Sequence, residues 1–283
     1  MEPLLQVDDL RVEFVNGDSP RHTAVDGIRF EIGAGEVVGL MGMSGCGKTS
    51  IALALLGLLP NDSARVTGSA LLRGRDLLAM KERELQKIRG AEISLVLQEP
   101  EIALSPVMRA GDQISEVIHA HRNGNWLSCR AAARSALARV GLAGERIFAA
   151  YPHQLSGGQR QRVVLAQALA CEPALVIADE PTASLDARSS ADLLDLLQRL
   201  KDEMGVALLL ISHSPEVQAA LADRLLVMKE GKIVEQGSFG ALYRNPSHPH
   251  TQCLLHKDAF PGASRTDELR ADDAERESTH VTW

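Results

Sequence analysis

No run of about 20 apolar residues occurs in this chain, so no segment of it reads as a membrane-spanning helix. The start shows no charged-then-apolar leader with a cleavage site. Met1-Glu2-Pro3 passes straight into a strand-like segment, and no export signal is expected. An excess of basic residues is also missing: 30 Lys and Arg against 37 Asp and Glu leave a formal net charge of -7. That charge, with a pI near 5.7, argues against a nucleic-acid scaffold. Cysteine is sparse. Cys46, Cys129, Cys171 and Cys253 show neither metal-type spacing nor a disulfide framework, and they read as reduced thiols in the cytoplasm. What remains is a chain of 283 residues, enough for one large domain or one and a half.

Gly42-Met43-Ser44-Gly45-Cys46-Gly47-Lys48-Thr49 is a full match to the phosphate-loop pattern G-x-x-x-x-G-K-S/T. Its context is right. Glu36 to Met41 (EVVGLM) is a short β-rich apolar run, and Ser50 to Leu59 (SIALALLGLL) reads as a helix packed on a sheet. A strand, a glycine-permitted tight loop and a helix N-terminus present consecutive N–H groups to phosphates. Gly42, Ser44, Gly45, Cys46, Gly47, Lys48, Thr49 and Ser50 are therefore candidate nucleotide-binding residues. Lys48 is expected to reach the β- and γ-phosphates, and Thr49 to ligate Mg²⁺. Cys46 reads as a small filler within the loop.

Leu175 to Glu180 (LVIADE) is an apolar run closing on two carboxylates, as a strand buried on both faces of a parallel sheet would be. Asp179 at its carboxyl end falls where Mg²⁺ would sit, and Glu180 where a water could be polarised against the γ-phosphate. About a helix upstream lies Leu155-Ser156-Gly157-Gly158-Gln159. A Ser hydroxyl and Gly N–H groups at a helix start form an anion site. Taken by itself, the segment is also what an ordinary Ser-capped helix start looks like.

This LSGGQ segment resembles the signature of the ATP-binding cassette family, and with the two motifs above it identifies the chain as similar to that family. The resemblance implies an α/β fold: a P-loop NTPase of ABC type, with a RecA-like core, an N-terminal antiparallel β subdomain and a helical subdomain. It implies ATP hydrolysis with Mg²⁺, and signature residues Ser156, Gly157, Gly158 and Gln159 acting on the nucleotide of a facing cassette. Three single residues match in the expected order. Gln98, ending the run Ile93 to Leu97, resembles the glutamine that senses Mg²⁺ and γ-phosphate. His213, ending Val206 to Ser212, resembles the switch histidine. Asp186, in Ser184-Leu185-Asp186, matches the loop that crosses to the facing subunit. Phe14 lies where an aromatic ring commonly stacks on adenine in the family; it also suits the core of an edge strand.

Longer runs resemble the ATP-binding subunits of peptide and nickel importers, over roughly Leu4 to Leu255. After Gln98 come Glu99-Pro100 and Leu104-Ser105-Pro106-Val107, near that branch's Q-D/E-P…S-L-N-P run. Asn245-Pro246-Ser247-His248-Pro249-His250-Thr251, then Leu254-Leu255, is near its P-x-H-P-Y-T…L-L segment. Ala24-Val25-Asp26-Gly27-Ile28 matches the branch's opening style. Departures are Met43 for a usual Glu, Ala103 and Ser105 for Ser and Asn, Ser214 for Asp, and His250 for Tyr. None removes a group that binds phosphate, Mg²⁺ or water; they bear on the substrate class. With Cys253 alone near the C-terminus, no iron–sulfur centre is expected.

The implied organisation runs as follows. Residues 1–97 hold the β subdomain and first part of the core, and 98–155 the helical subdomain, with Trp126 to Val140 a helix. Residues 156–235 resume the core and include the amphipathic stretch Ala191 to Leu200. An importer-type segment spans 236–260, and a polar tail 261–283 is expected to be disordered. The implied partners are a second, related ATP-binding subunit in a heterodimer, two membrane permease subunits and, indirectly, an extracytoplasmic substrate-binding protein. No nucleic acid is expected, and the place implied is the cytoplasmic face of the inner membrane. Two other readings stay open: a cassette ATPase that never touches a membrane, whose usual coiled-coil insertions or fused second cassette are not visible, and a nucleotide-holding partner with little hydrolysis.

Overall fold

A computed structural model describes residues 2–15, 21–60, 62–122 and 124–255. The expected tail at 261–283 and the last five positions of the importer-type segment lie outside the described residues.

Alternation of apolar and polar residues sets the first sheet. In β1 (Leu5–Phe14), Leu5, Val7, Leu10 and Val12 are buried while Gln6, Asp8 and Arg11 are exposed, as a half-buried strand requires. With β2 (His22–Ile32), β4 (Ala64–Leu72) and β5 (Arg75–Asp76) it forms an antiparallel sheet ordered β2-β1-β4-β5. β1 is thus an inner strand. The edge-strand alternative for Phe14 is corrected by the pairing of Phe14 with both His22 and Ala64.

The second sheet is built from continuous apolar runs. β3 (Val37–Gly42), β7 (Leu175–Asp179) and β8 (Ala207–Ile211) are buried at every position. With β6 (Ile93–Val96), β9 (Arg224–Lys229) and β10 (Lys232–Ser238) they form a six-stranded sheet ordered β10-β9-β3-β8-β7-β6, parallel except for β10. Alternate side chains face opposite cores. Leu175 and Ile177 join Val38, Leu40, Leu209 and Ile211 in a cluster shared with α1 (Lys48–Leu55) and the antiparallel sheet. Val176 and Ala178 join Leu208 and Leu210 in a cluster on the other face.

That second cluster holds the helical half. It contains residues of α4 (Ala110–His121), α5 (Trp126–Arg139), α7 (Gly157–Leu169), α8 (Ala187–Met204) and α9 (Pro215–Leu221). Phe148, ending α6 (Glu145–Phe148), is buried in it, with the Arg130 and Arg134 guanidinium groups 4.7 and 4.1 Å from its ring centre. One core therefore runs through both sides of residue 155. The remaining α-helices among the described residues are α2 (Glu82–Ile88), α3 (Pro100–Ala103), α10 (Phe239–Arg244) and α11 (Pro249–Leu255). Glu235 on β10 accepts the N–H groups of Ser247 at 2.7 Å and His248 at 3.1 Å, which fastens the Pro-His segment to the hairpin.

Two helices differ in extent from the sequence expectation. α1 starts earlier, because left-handed Gly47 (φ 108°) serves as its N-cap and Lys48 is already helical. It stops at Leu55, short of Leu59, as the chain turns at Gly57 and approaches Pro60. α8 extends beyond Ala191 to Leu200 at both ends, between the caps Asp186 and Gly205 (φ 63°).

Candidate functional site

Because β3, β8 and β7 are adjacent and parallel, the segments leaving their carboxyl ends emerge side by side. β3 leads into the glycine-rich loop, β7 ends in Asp179 and Glu180, and β8 leads to Ser212 and His213. Ligands of open parallel sheets bind at this edge.

Gly42 closes β3 under tight constraint: a Cβ there would lie 2.5 Å from the Met228 carbonyl oxygen and 2.7 Å from Cys46 Sγ. Cys46 is buried in the core beneath the loop, and that burial pushes its thiol up. Lys48 is buried as well. Its Nζ donates to the carbonyls of Gly42 at 2.8 Å and Met43 at 3.0 Å, which holds the ammonium over the loop. Ser44 and Gly45 are exposed on the loop, and Ser50 continues the first turn of α1. The first N–H groups of a helix have no partner within it, so this turn offers donors to an anion.

Thr49 Oγ1 donates to Asp179 Oδ2 at 2.7 Å. Burial pushes the Asp179 carboxyl up; the Thr49 hydroxyl opposes this, the neighbouring Glu180 adds to it and Lys48 opposes it. Two oxygen donors, one of them a buried carboxylate with no cationic side chain bonded to it, suit a hard divalent cation. Among the described residues no group of three or more His, Cys, Asp or Glu could hold a metal. A cation here would complete its shell from phosphate and water, as magnesium usually does.

Glu180 adopts a left-handed backbone (φ 48°), unusual for a side-chain-bearing residue and costing about 1–3 kcal/mol. Its N–H donates to the Ile211 carbonyl at 2.9 Å, linking the ends of β7 and β8. Three donors surround its carboxylate: Ser212 Oγ at 3.1 Å, the His213 N–H at 2.9 Å and His213 Nδ1 at 2.6 Å. A carboxylate only accepts, so Nδ1 carries the proton. The Glu180 side chain is 12% exposed and that of His213 62%, so the carboxylate is enclosed while much of the ring stands in solvent. Gln98 lies just past β6 and is exposed.

A second group gathers elsewhere. Ser156 N-caps α7, accepting the Gln159 N–H at 3.3 Å, and Gln159 Oε1 accepts the Ser156 N–H at 3.0 Å. Asp186 N-caps α8 through the Ser189 N–H at 2.9 Å and hydroxyl at 2.8 Å. Those two bonds hold its carboxyl below the usual range. Ser156, Gly157, Gly158, Gln159, Ser184 and Asp186 line one cavity of about 430 Å³, to which no residue of the phosphate loop contributes. A Cβ on Gly157 would meet nothing of its own chain within 4 Å.

The structure thus gathers Lys48, Thr49, Asp179, Glu180 and His213 at one sheet edge, and the signature residues with Asp186 at another place. Phe14, the last residue of β1, is half-buried against the core beneath α1. Ser212 was not singled out from sequence. The available signal was a hydroxyl ending a buried apolar strand beside a histidine, a pattern too common to select.

Comparison with known proteins bears on most of the chain. The family described as ABC transporter matches residues 25–183. A probable peptide ABC transporter ATP-binding protein of Sinorhizobium fredii is 42% identical over 255 residues, 89% of this chain and 76% of that protein. A dipeptide transport ATP-binding protein of Bacillus subtilis is 41% identical over 258 residues, 90% of this chain and 76% of that protein. An oligopeptide transport ATP-binding protein of Escherichia coli is 41% identical over 256 residues, 90% of this chain and 75% of that protein. Among solved structures, a dimeric ATP-binding cassette in a post-hydrolysis state, bound to ADP and Pi, superposes with a TM-score of 0.73. It shares 26% identity and is covered to 98%, against 83% of this chain.

Proposed function

The chain belongs to the ABC transporter family, as an ATP-hydrolysing cassette, and from that premise we propose how its residues divide the work. The loop N–H groups and Lys48 cradle the β- and γ-phosphates. Thr49 and Asp179 would hold Mg²⁺, with Gln98 beside it, and the ion when bound offsets charge on the phosphates. Glu180 orients or deprotonates the attacking water, and His213 contacts the γ-phosphate. Phe14 stacks on adenine.

The single observation carrying this reading is the Glu180 carboxylate, gripped by three donors beside the Thr49–Asp179 pair at the ends of adjacent parallel strands. Ser156, Gly157, Gly158, Gln159 and Asp186 serve the nucleotide of a facing cassette. Supporting this, they share a cavity apart from the phosphate loop, and no packing within the chain requires Gly157 to be small.

The cassette powers a peptide importer, a class favoured over nickel by the names of its relatives. It works beside a related second cassette and two permease subunits at the cytoplasmic face of the inner membrane, with a binding protein delivering substrate outside. No described helix is long and apolar enough to cross a membrane. Residues 98–155 carry the message from Gln98 to the permease. Ile102 and Val107, 72% and 80% exposed just after Gln98, are the apolar contacts proposed for it.

The test is a pair of variants. Lys48→Ala should lose nucleotide binding. Glu180→Gln should keep it while turnover falls by about a hundredfold or more. Wild-type hydrolysis by Glu180→Gln would remove the assignment of Glu180.

A further inference from the structure

Gln218 lies on α9, the helix that follows His213, and its side chain is 0% exposed. Its Nε2 donates to two main-chain carbonyls, those of Leu210 and Ser212, each at 3.2 Å. Two carbonyl acceptors settle which end of the amide carries hydrogen, because an amide oxygen could bond neither. The oxygen therefore points the other way, onto Gly39 of β3, where an added Cβ would lie only 2.0 Å from it. Among the described residues it has no hydrogen-bond donor. A buried acceptor left unpaired costs about 1–3 kcal/mol. An aliphatic side chain of the same length would fill this space without that cost, so packing alone does not account for the amide.

What the amide does is hold one peptide plane. The Ser212 carbonyl and the His213 N–H belong to the same peptide unit, which is trans and planar. Gripping the carbonyl on one side aims the N–H on the other, and that N–H is the one donated to Glu180 Oε1 at 2.9 Å. Ser212 is held again through its own N–H, which donates to the Leu40 carbonyl at 3.2 Å. Its hydroxyl then donates to Glu180 Oε2 and accepts the Ser214 N–H at 3.2 Å.

We propose that Gln218 is a positioning residue for ATP hydrolysis. It sets the plane of the Ser212–His213 peptide, and through it the His213 N–H, one of the three donors that orient the Glu180 carboxylate. The inference rests on the reading of Glu180 as the water-activating group. Gln218 itself touches no part of the nucleotide site.

The experiment uses the assembled transporter in lipid vesicles, with kcat, the KM for ATP and the thermal midpoint measured for each variant. Gln218→Met fills the space but donates nothing. Its kcat should fall about tenfold to a hundredfold, the scale of a small misplacement of reacting groups. The KM for ATP should stay within about twofold, since the phosphate cradle is intact. Gly39→Ala should displace the amide and reproduce this split. Combining Gly39→Ala with Gln218→Ala should recover the thermal midpoint without recovering kcat. A wild-type kcat in Gln218→Met overturns the proposal, as does a double variant whose kcat returns with its stability. Should Gln218→Met fail to fold, Gly39→Ala is judged by the same split, and an unchanged kcat there overturns the proposal too. Glu180→Gln in the same assay separates the two claims. If it is inactive while Gln218→Met is normal, the positioning role alone falls; if it hydrolyses normally, the reading of Glu180 falls first.

Discussion

Asp179 carries a carboxyl group at the end of a strand buried on both faces, and the chain loses stability by ionising it. Its pKa is raised above 3.8, chiefly by burial, so the folded state keeps the proton to higher pH than the unfolded chain. Below 3.8 both states are protonated and no penalty exists. As pH rises from there through the raised value, the unfolded chain ionises first and the folded state must then ionise a desolvated acid, so stability declines across that window. Asp179→Asn should therefore raise the thermal midpoint of the nucleotide-free chain near pH 7, with the gain shrinking as the medium is acidified. The same variant should lose most of the stabilisation given by ATP with Mg²⁺. Scanning calorimetry at two pH values checks both; an Asn variant equally destabilised at each would refute the first. Lys48, Thr49, Asp179, Glu180 and His213 were legible as residues because each occupies a fixed place in a motif. Ser212 and Gln218 were not, because what they do depends on which carbonyl or carboxylate lies across from them.

At the scale of elements, two glycines separate what the chain demands of itself from what a second chain would demand. Gly47 caps α1 at φ 108°, and a Cβ there would lie 2.2 Å from the Ala24 carbonyl oxygen. Gly47→Ala should cost about 3 kcal/mol or more of folding stability through strain and collision together, and nucleotide binding with it. Gly157 opens α7 and faces empty space. Gly157→Ala should leave the thermal midpoint of the isolated chain unchanged or slightly raised, since Ala favours a helix by up to about 1 kcal/mol. Turnover of the assembled complex should nevertheless fall, because the added methyl group would face the partner's nucleotide. Denaturant melts of both variants, alongside ATPase rates of the complex, provide the check. The middle of α8 was legible from Leu193, Leu196, Leu197 and Leu200, its buried stripe. Its ends were not, because polar turns flanked by caps carry no apolar period.

At the scale of the whole molecule, the two separated groups of site residues predict the behaviour of the purified chain. Alone it should be largely monomeric and slow, since its signature has no phosphate site to face. Added partner and membrane subunits should raise turnover, and substrate-loaded binding protein should raise it further. Light scattering and ATPase assays measure this directly. A tight, fully active homodimer indifferent to any membrane subunit would end the importer reading and leave the ATPase standing.

The sequence by itself determined the chemistry. A glycine-rich loop, a strand ending in Asp179-Glu180 and a Ser-Gly-Gly helix start are short, local patterns, and phosphate binding depends on backbone conformations that such patterns dictate nearby. It also determined the parallel sheet, because β3, β7 and β8 are apolar at nearly every position and could not lie on a half-exposed face. Tertiary structure alone decided the strand order that sets β8 between β3 and β7, the placing of β1 inside its sheet, and the run of one core through both sides of residue 155. It also decided the bond of Ser212 to the Glu180 carboxylate and those of Gln218 to the Leu210 and Ser212 carbonyls. Each of these depends on contacts between segments far apart in the chain. Apolar surface is buried equally well by many such pairings, and the selection is made when all the side chains must pack at once.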